Sequence, residues 1–393
     1  MAYILTNDYP ELKEKLNSAI DNATKILKRS LPRYASGDVY EAAYKDGKYT
    51  TIHNGDVRGS YWTEGFWTGQ LWLAYEATGD DAFKDLAQKN VDDFYKRVVN
   101  NYHVDWHHDT GFLYIPTCVA SYMLTGNETA KKAALMAATS LSRRFRIKGE
   151  FIQNMSTEID DENYRLIVDT LLNVPLLFWA TRETGDPSYQ EKAMKHIRTT
   201  IKYAMREDGT SFHHVLFDTK TGDFIRGLTL QGAGDNSCWS RGQAWVVYGL
   251  ALAYGHTKDE SLLEHFVRAT DYFVDHLPSD YVPYWDFVFS DGDDEPRDSV
   301  SAAIAACGIM EMANHLPKDK CNMQKYLDVA AKMIESLAGE NYAVNFEEGT
   351  EGLVKHATGS KPHNSGVDTC ISFSDYYYLE SLIRATRDWK KYW

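Results

Sequence analysis

Nowhere in the 393 residues does an apolar run reach the ~18 positions that a membrane-spanning helix needs. The opening segment, MAYILTNDYPELKEK, has no basic stretch followed by an apolar one, the pattern of a secretory leader. A cytoplasmic location is expected. Positive charge is also short, since 42 Lys and Arg against 56 Asp and Glu leave a formal charge of −14. That balance argues against a partner such as nucleic acid or an anionic membrane, either of which wants a basic face. The five cysteines (Cys118, Cys238, Cys307, Cys321 and Cys370) are odd in number and never closer than 14 residues. Neither a disulfide framework nor a CxxC site follows from them. The 10 prolines form no linker, so residues 1–393 read as a single domain. Phosphate-loop, GxGxxG and GxSxG patterns are all missing, which leaves nucleotide hydrolysis and serine esterase chemistry without support. Aromatics, by contrast, are plentiful: 10 Trp, 26 Tyr and 16 Phe make up 13% of the chain. That exceeds what a core of this size needs and leaves ring faces available for other work.

A phrase recurs in which an apolar, helix-period run ends at a small turn and a more polar helix follows. It occurs as TyrGluAlaThrGlyAsp at 75–80, TyrMetLeuThrGlyAsn at 122–127 and ArgGluThrGlyAsp at 182–186. A degenerate copy, GlyHisThrLysAsp, lies at 255–259, and a weaker fifth, HisLeuProLysAsp, at 315–319. Gly79, Gly126 and Gly185 suit the left-handed position that ends a helix, and Asp80, Asn127 and Asp186 suit the cap of the next one. Successive turn threonines, Thr78, Thr125, Thr184 and Thr257, are 47, 59 and 73 residues apart, room for two helices and a long loop each. An N-terminal hairpin before residue 60 and a C-terminal one around 368–388 bring the count to about six. The expected fold is all-α, an (α/α)6 toroid of six hairpins. An open solenoid of helical pairs is the alternative, which the long loops and the inner-helix aromatics disfavour.

In equivalent hairpins, residues at one offset before each turn lie at one level of the toroid. Trp62, Asp109 and Arg241 stand 16 residues before Thr78, Thr125 and Thr257, and Asp169 stands 15 before Thr184. Such an offset is ~24 Å of helix, so an aromatic plate, two carboxylates and a guanidinium ring the mouth away from the turns. Ser301, 16 before Pro317, would be the next member of the ring, with no obvious role.

Each of these residues also has a plain structural reading. Asp109, just before Thr110 and Gly111, suits a helix cap. Asp169 lies in IleValAspThrLeuLeu, an apolar stretch in which desolvation raises a carboxyl pKa and so suits a general acid. The other reading is a buried aspartate satisfied by backbone or Thr170. Pro175, in the same run, is expected to kink the helix. In the stretch 235–245, Arg241 can clamp a carboxylate bidentately while Trp239 or Trp245 offers a stacking face. Its structural reading is an ion pair, with Trp245 as core. His103, His107 and His108 invite a metal reading through the i,i+4 spacing of 103 and 107, but no HExxH pattern occurs, and a hydrogen-bonding cluster with Asp109 fits better. His213 and His214 are ambiguous by themselves.

Assembled, these residues resemble the unsaturated glucuronyl hydrolases of glycoside hydrolase family 88. The resemblance runs from about residue 50 to the C-terminus. It rests on TrpThrGluGlyPheTrpThrGly (62–69), HisHisAspThrGlyPhe (107–112), LeuIleValAspThrLeuLeuAsnValProLeuLeu (166–177) and TrpSerArgGlyGlnAlaTrp (239–245). TyrTrpAspPhe (284–287) and AspTyrTyrTyrLeuGlu (375–380) complete the set.

The resemblance implies a six-hairpin toroid that takes a small unsaturated oligosaccharide, left by a polysaccharide lyase, and uses no cofactor or metal. Asp169 would donate a proton to C4 of the enol ether and act as general acid and base in turn, while Asp109 would hold ring hydroxyls and help set the state of Asp169. Trp62, His108, His213, Gln231, Arg241 and Trp245 would contact the unsaturated sugar. The loop 352–363 lies where family members differ, and its Ser360 and Lys361 are expected to accept a sulfated amino sugar. Competing readings are an unsaturated rhamnogalacturonyl hydrolase, a sugar 2-epimerase using paired histidines, and a non-catalytic carbohydrate-binding toroid in which Asp169 is dispensable.

Overall fold

The computed structural model describes residues 2–53, 62–100, 107–156, 158–389 and 391–393. Its outer helices are α1 (Lys13–Ser30), α3 (Asp81–Val99), α6 (Glu128–Arg143), α8 (Pro187–Ala204), α10 (Ser261–Asp275) and α12 (Met323–Leu337). Each buries one stripe. In α12, Tyr326, Leu327, Ala330, Ile334 and Leu337 recur at the three- and four-residue spacing of a helix face. The inner ring contains α2 (Glu64–Thr78), α7 (Pro175–Thr184), α9 (Ser240–Thr257), α11 (Ser299–Ala313) and α13 (Ser372–Thr386). Its remaining member is a composite of α4 (Thr110–Tyr114), a π turn (Ile115–Val119) and α5 (Ala120–Thr125). Residues Ser240–Tyr254, Ser299–Met312 and Ser372–Ala385 are buried without a break, because neighbours enclose these helices on all sides.

Each inner segment touches the next, and α13 returns to α2, so the ring closes as an α/α toroid. Glycines permit the close crossings. A Cβ on Gly308 of α11 would lie 2.6 Å from the Cα of Tyr248 on α9, and one on Gly69 of α2 would lie 2.6 Å from the Tyr376 ring on α13. Near the turn end the interior is filled by Trp393, whose Nε1–H donates to Glu380 at 2.9 Å, and by Arg384, which bridges Glu380 at 2.8 Å and Glu311 at 3.1 Å.

The repeated turns form as the residues dictate. Gly79, Gly126 and Gly185 take φ of 71°, 72° and 76°, and the side chains of Asp80, Asn127 and Asp186 accept the N–H groups of Ala82, Ala130 and Ser188. In the degenerate copy Lys258 takes the left-handed position (φ 57°), and Asp259 accepts the Ser261 N–H. Among the described residues, the expected separate N-terminal hairpin does not occur. Its one long helix, α1, packs on α13, so the two ends of the chain build the sixth hairpin together. Pro175 does not kink a helix either. It opens α7, where its missing N–H has no partner to lose, after a 3-10 turn at Val168–Leu172.

Strands are confined to small sheets in the loops: β1 (Val39–Lys45) with β2 (Lys48–His53), β3 (Phe145–Arg146) with β4 (Phe151–Ile152), and β5 (Arg165–Ile167), β6 (His214–Phe217) and β7 (Phe224–Leu228) with β6 central. Among the described residues, no helix is long and apolar enough to cross a membrane.

Candidate active site

A cavity of about 580 Å³ opens where the inner segments begin. Backbone ladders rather than helix faces bring its two carboxylates together. Ile167 pairs with His214 across β5 and β6, and the Val168 N–H donates to the His213 carbonyl at 3.1 Å, so Asp169 and His213 emerge side by side. The His108 N–H donates to the Asn154 carbonyl at 2.7 Å, and the Asn154 N–H donates to the Arg165 carbonyl at 3.1 Å. These bonds carry Asp109 to the same wall.

Asp109 occupies the cap position of α4, yet its side chain makes no capping bond. Oδ1 lies 3.3 Å from His108 Nε2 and Oδ2 lies 3.4 Å from His107 Nδ1, and the Asn173 amide approaches Oδ1 at 3.4 Å. Burial would raise the carboxyl, but His108, His107 and Asn173 hold it below its ordinary value. His108 itself is pushed down to about 4, chiefly by burial, and is neutral near pH 7. Its Nδ1 faces the Thr170 hydroxyl at 2.9 Å and the Asn173 NH2 at 3.4 Å. An amide NH2 only donates, so the ring proton sits on Nε2, aimed at Asp109.

Asp169 lies in the 3-10 turn, and burial, then the neighbouring Asp109, raise its carboxyl from 3.8 to about 7 against the pull of Arg241 and the Trp245 indole. Its Oδ1 is 3.7 Å from His213 Nε2, and among the described residues neither atom has a hydrogen-bond partner. The Leu230 N–H donates to His213 Nδ1 at 3.3 Å, which leaves the proton of the neutral ring on Nε2, facing Asp169. Burial, helped by Arg241, keeps that ring neutral. The site therefore sets a carboxyl that is protonated up to neutral pH beside a carboxylate that is ionised.

Trp62, His108, Asp109, Asp169, His213, Gln231 and Ser360 all line the cavity. Trp62 rests on Phe66, Phe112 and Phe373, and Gln231 Nε2 donates to the Gly359 carbonyl at 2.9 Å. Arg241, Trp245 and Lys361 are not brought to this wall. The Arg241 fork is buried, donating to Asp298 at 2.7 Å, to the Thr358 carbonyl at 2.6 Å and to the Gly359 carbonyl, while its guanidinium carbon lies over the Trp239 ring, 4.5 Å from the centroid. Trp245 is fully buried against Phe112 and Tyr377. Lys361 Nζ turns toward Glu295 at 3.5 Å.

The wall also holds His363 and Ser365, which the sequence reading missed. His363 Nδ1 meets Ser360 Oγ at 2.7 Å. Asn173, also at this site, carries a signal in the sequence as a lone amide four residues after Asp169 in an apolar run. His103 lies outside the described residues. Among those described, no group of three or more His, Cys, Asp or Glu is arranged to hold a metal ion.

The sequence profile described as Glycosyl Hydrolase Family 88 matches residues 27–390. Over 382 residues the chain is 44% identical to an unsaturated chondroitin disaccharide hydrolase of Streptococcus pneumoniae, covering 97% of this chain and 94% of that protein. It superposes on the crystal structure of an unsaturated glucuronyl hydrolase from Streptococcus agalactiae with a TM-score of 0.90 and 40% identity, covering 97% and 94% of the two chains. An aspartate-to-asparagine variant from Streptococcus agalactiae, complexed with dGlcA-GalNAc6S, matches with a TM-score of 0.83 at 38% identity over the same shares. With that profile spanning nearly the whole chain and relatives of 40% identity and more sharing its fold, the chain belongs to glycosyl hydrolase family 88.

Proposed function

We propose that the chain removes the 4,5-unsaturated uronic acid from the non-reducing end of lyase-generated glycosaminoglycan oligosaccharides of the hyaluronan and chondroitin type. The observation that carries this reading is Asp169, a carboxyl raised to about 7 by burial and by Asp109 and open to the cavity. A carboxyl that keeps its proton near neutrality is matched to protonating carbon. Asp169 delivers its proton to C4 of the enol ether, and the C5 cation that results is stabilised by the ring oxygen. Water adds at C5 and returns a proton to Asp169. The hemiketal then collapses and releases the aglycone. Asp109 holds ring hydroxyls, and Trp62 supplies a face for the sugar. His213 Nε2–H and Gln231 bind at the remaining edges. Arg241 and Trp245 act from behind the wall, Arg241 by fixing the Thr358–Gly359 backbone and both by their field at Asp169.

The relatives act on, or have been crystallised with, unsaturated chondroitin-type disaccharides, which supports the same substrate class here. Ser360, with His363 beside it, faces the leaving sugar and is the contact for a sulfated amino sugar. The test follows the ultraviolet absorbance of the conjugated enol ether in an unsaturated chondroitin or hyaluronan disaccharide. Wild type bleaches it and Asp169→Asn does not. No loss with any unsaturated uronide would sink the reading.

A further inference from the structure

The proposed reaction needs two neighbouring carboxyls in opposite states, Asp109 ionised and Asp169 protonated, and one side chain touches the frame of both. Asn173 is fully buried, one turn beyond Asp169. Its Oδ1 accepts the Phe112 N–H at 2.8 Å. A backbone N–H only donates, so this bond fixes which way the amide points. Nδ2 consequently faces the other side, 3.4 Å from Asp109 Oδ1, 3.3 Å from the Asp169 carbonyl and 3.4 Å from His108 Nδ1. The two backbones meet at contact here: a Cβ on Gly111 would lie 2.3 Å from the Asn173 Cα. Asn173 is thus the side chain that ties the first turn of α4 to the 3-10 turn of Asp169.

We infer that Asn173 is a positioning residue for the reaction, its amide holding the Asp109 carboxylate in place and at a fixed separation from Asp169. The inference rests on the functional reading above. The groups facing Asp109 are His107 and His108 from its own loop, with Asn173 and Asp169 across the gap. Asp169 is faced by Asp109, by His213 before β6, by Arg241 and Trp245 on α9, and by Tyr377 on α13. Of these, Asn173 alone bonds both to Asp109 and to the backbone of Asp169. Its N–H stabilises the anionic form of Asp109 more than the protonated one, so deleting it lets Asp109 hold its proton to higher pH. Asn173→Asp keeps an acceptor for Phe112 but sets a like charge against Asp109, and one of two such carboxyls then titrates late.

Rates on an unsaturated chondroitin disaccharide would be measured against pH for Asn173→Ala and Asn173→Asp. The expected result is a loss in kcat/KM of about 100-fold for Asn173→Ala, carried mostly by kcat. In Asn173→Asp the acidic limb moves up by about one pH unit or more. A wild-type acidic limb in Asn173→Asp would overturn the inference. So would a loss in Asn173→Ala that merely tracks the folded fraction by circular dichroism. A substrate-free readout separates this from the functional reading: carbon-13 titration of the Asp109 carboxyl, assigned by its absence in Asp109→Asn. An upward move in both Asn173 variants supports the inference even if wild type leaves every unsaturated uronide untouched, and an unmoved titration refutes it.

Discussion

Neutralising Asp109 isolates the electrostatic part of the proton affinity of Asp169. The carboxyl of Asp169 is raised from 3.8 to about 7, a rise of about three pH units or about 4 kcal/mol. Burial is the larger cause and survives in Asp109→Asn, whereas the contribution of Asp109 is lost. Its size follows from Coulomb's law for two carboxyls that line one cavity, taken on the order of 7 Å apart. At an effective dielectric of ~20 that is about 2 kcal/mol, or between about one and two pH units. The proposed reaction uses protonated Asp169, so activity is expected to hold below this pKa and to fail above it. In Asp109→Asn the alkaline limb of kcat/KM should therefore fall from about 7 to between about 5 and 6. Initial bleaching rates at substrate well below KM, normalised to each enzyme's maximum, give the limb directly. The loss of hydroxyl contacts lowers the height of the profile without moving it. An alkaline limb at or above the wild-type position would refute the coupling of the two carboxyls.

Asp169→Asn should abolish turnover and yet stabilise the fold at alkaline pH. A raised carboxyl contributes stability that is complete below ~4 and lost as pH climbs through about 7, so the melting midpoint of the variant should exceed wild type at pH 8 and match it near pH 4. Arg241→Met strands the buried Asp298 carboxylate and should cost about 3–5 kcal/mol by chemical denaturation; adding Asp298→Asn should return most of it, and an unchanged midpoint in Arg241→Met would show that the pair carries no such burden. Ser360→Ala should change the ratio of sulfated to unsulfated disaccharide turnover, whereas Lys361→Ala, whose partner is the partly exposed Glu295, should leave that ratio within about twofold. The reverse order would show that the lysine swings to the substrate.

Much of the fold was legible because its signals are local. Glycine at a left-handed helix end followed by an Asp or Asn cap requires only a few adjacent residues, and all three complete copies formed as read. Trp62, Asp109 and Asp169 were legible together because they precede equivalent turns by similar offsets, and they do line one cavity, although π and 3-10 turns interrupt the α-helical rise between and Arg241 does not reach that wall. The sixth hairpin was misread because pairing α1 with α13 joins segments hundreds of residues apart, and no local pattern records that. The raised state of Asp169 was half-visible in its apolar surroundings, but the depressed state of Asp109 depends on two histidines and an amide 64 residues away.

Sequence alone thus determined the helical periodicity, the turns and the level of the candidate site, since each follows from neighbours along the chain. Only the tertiary structure decided which way side chains at that level point. Arg241 stands at the level of the site yet turns to Asp298 and the 358–359 carbonyls. His363 lines the cavity, whereas Lys361 on the same short turn leans toward Glu295. A register fixes height, but direction is set by the partners that long-range packing supplies.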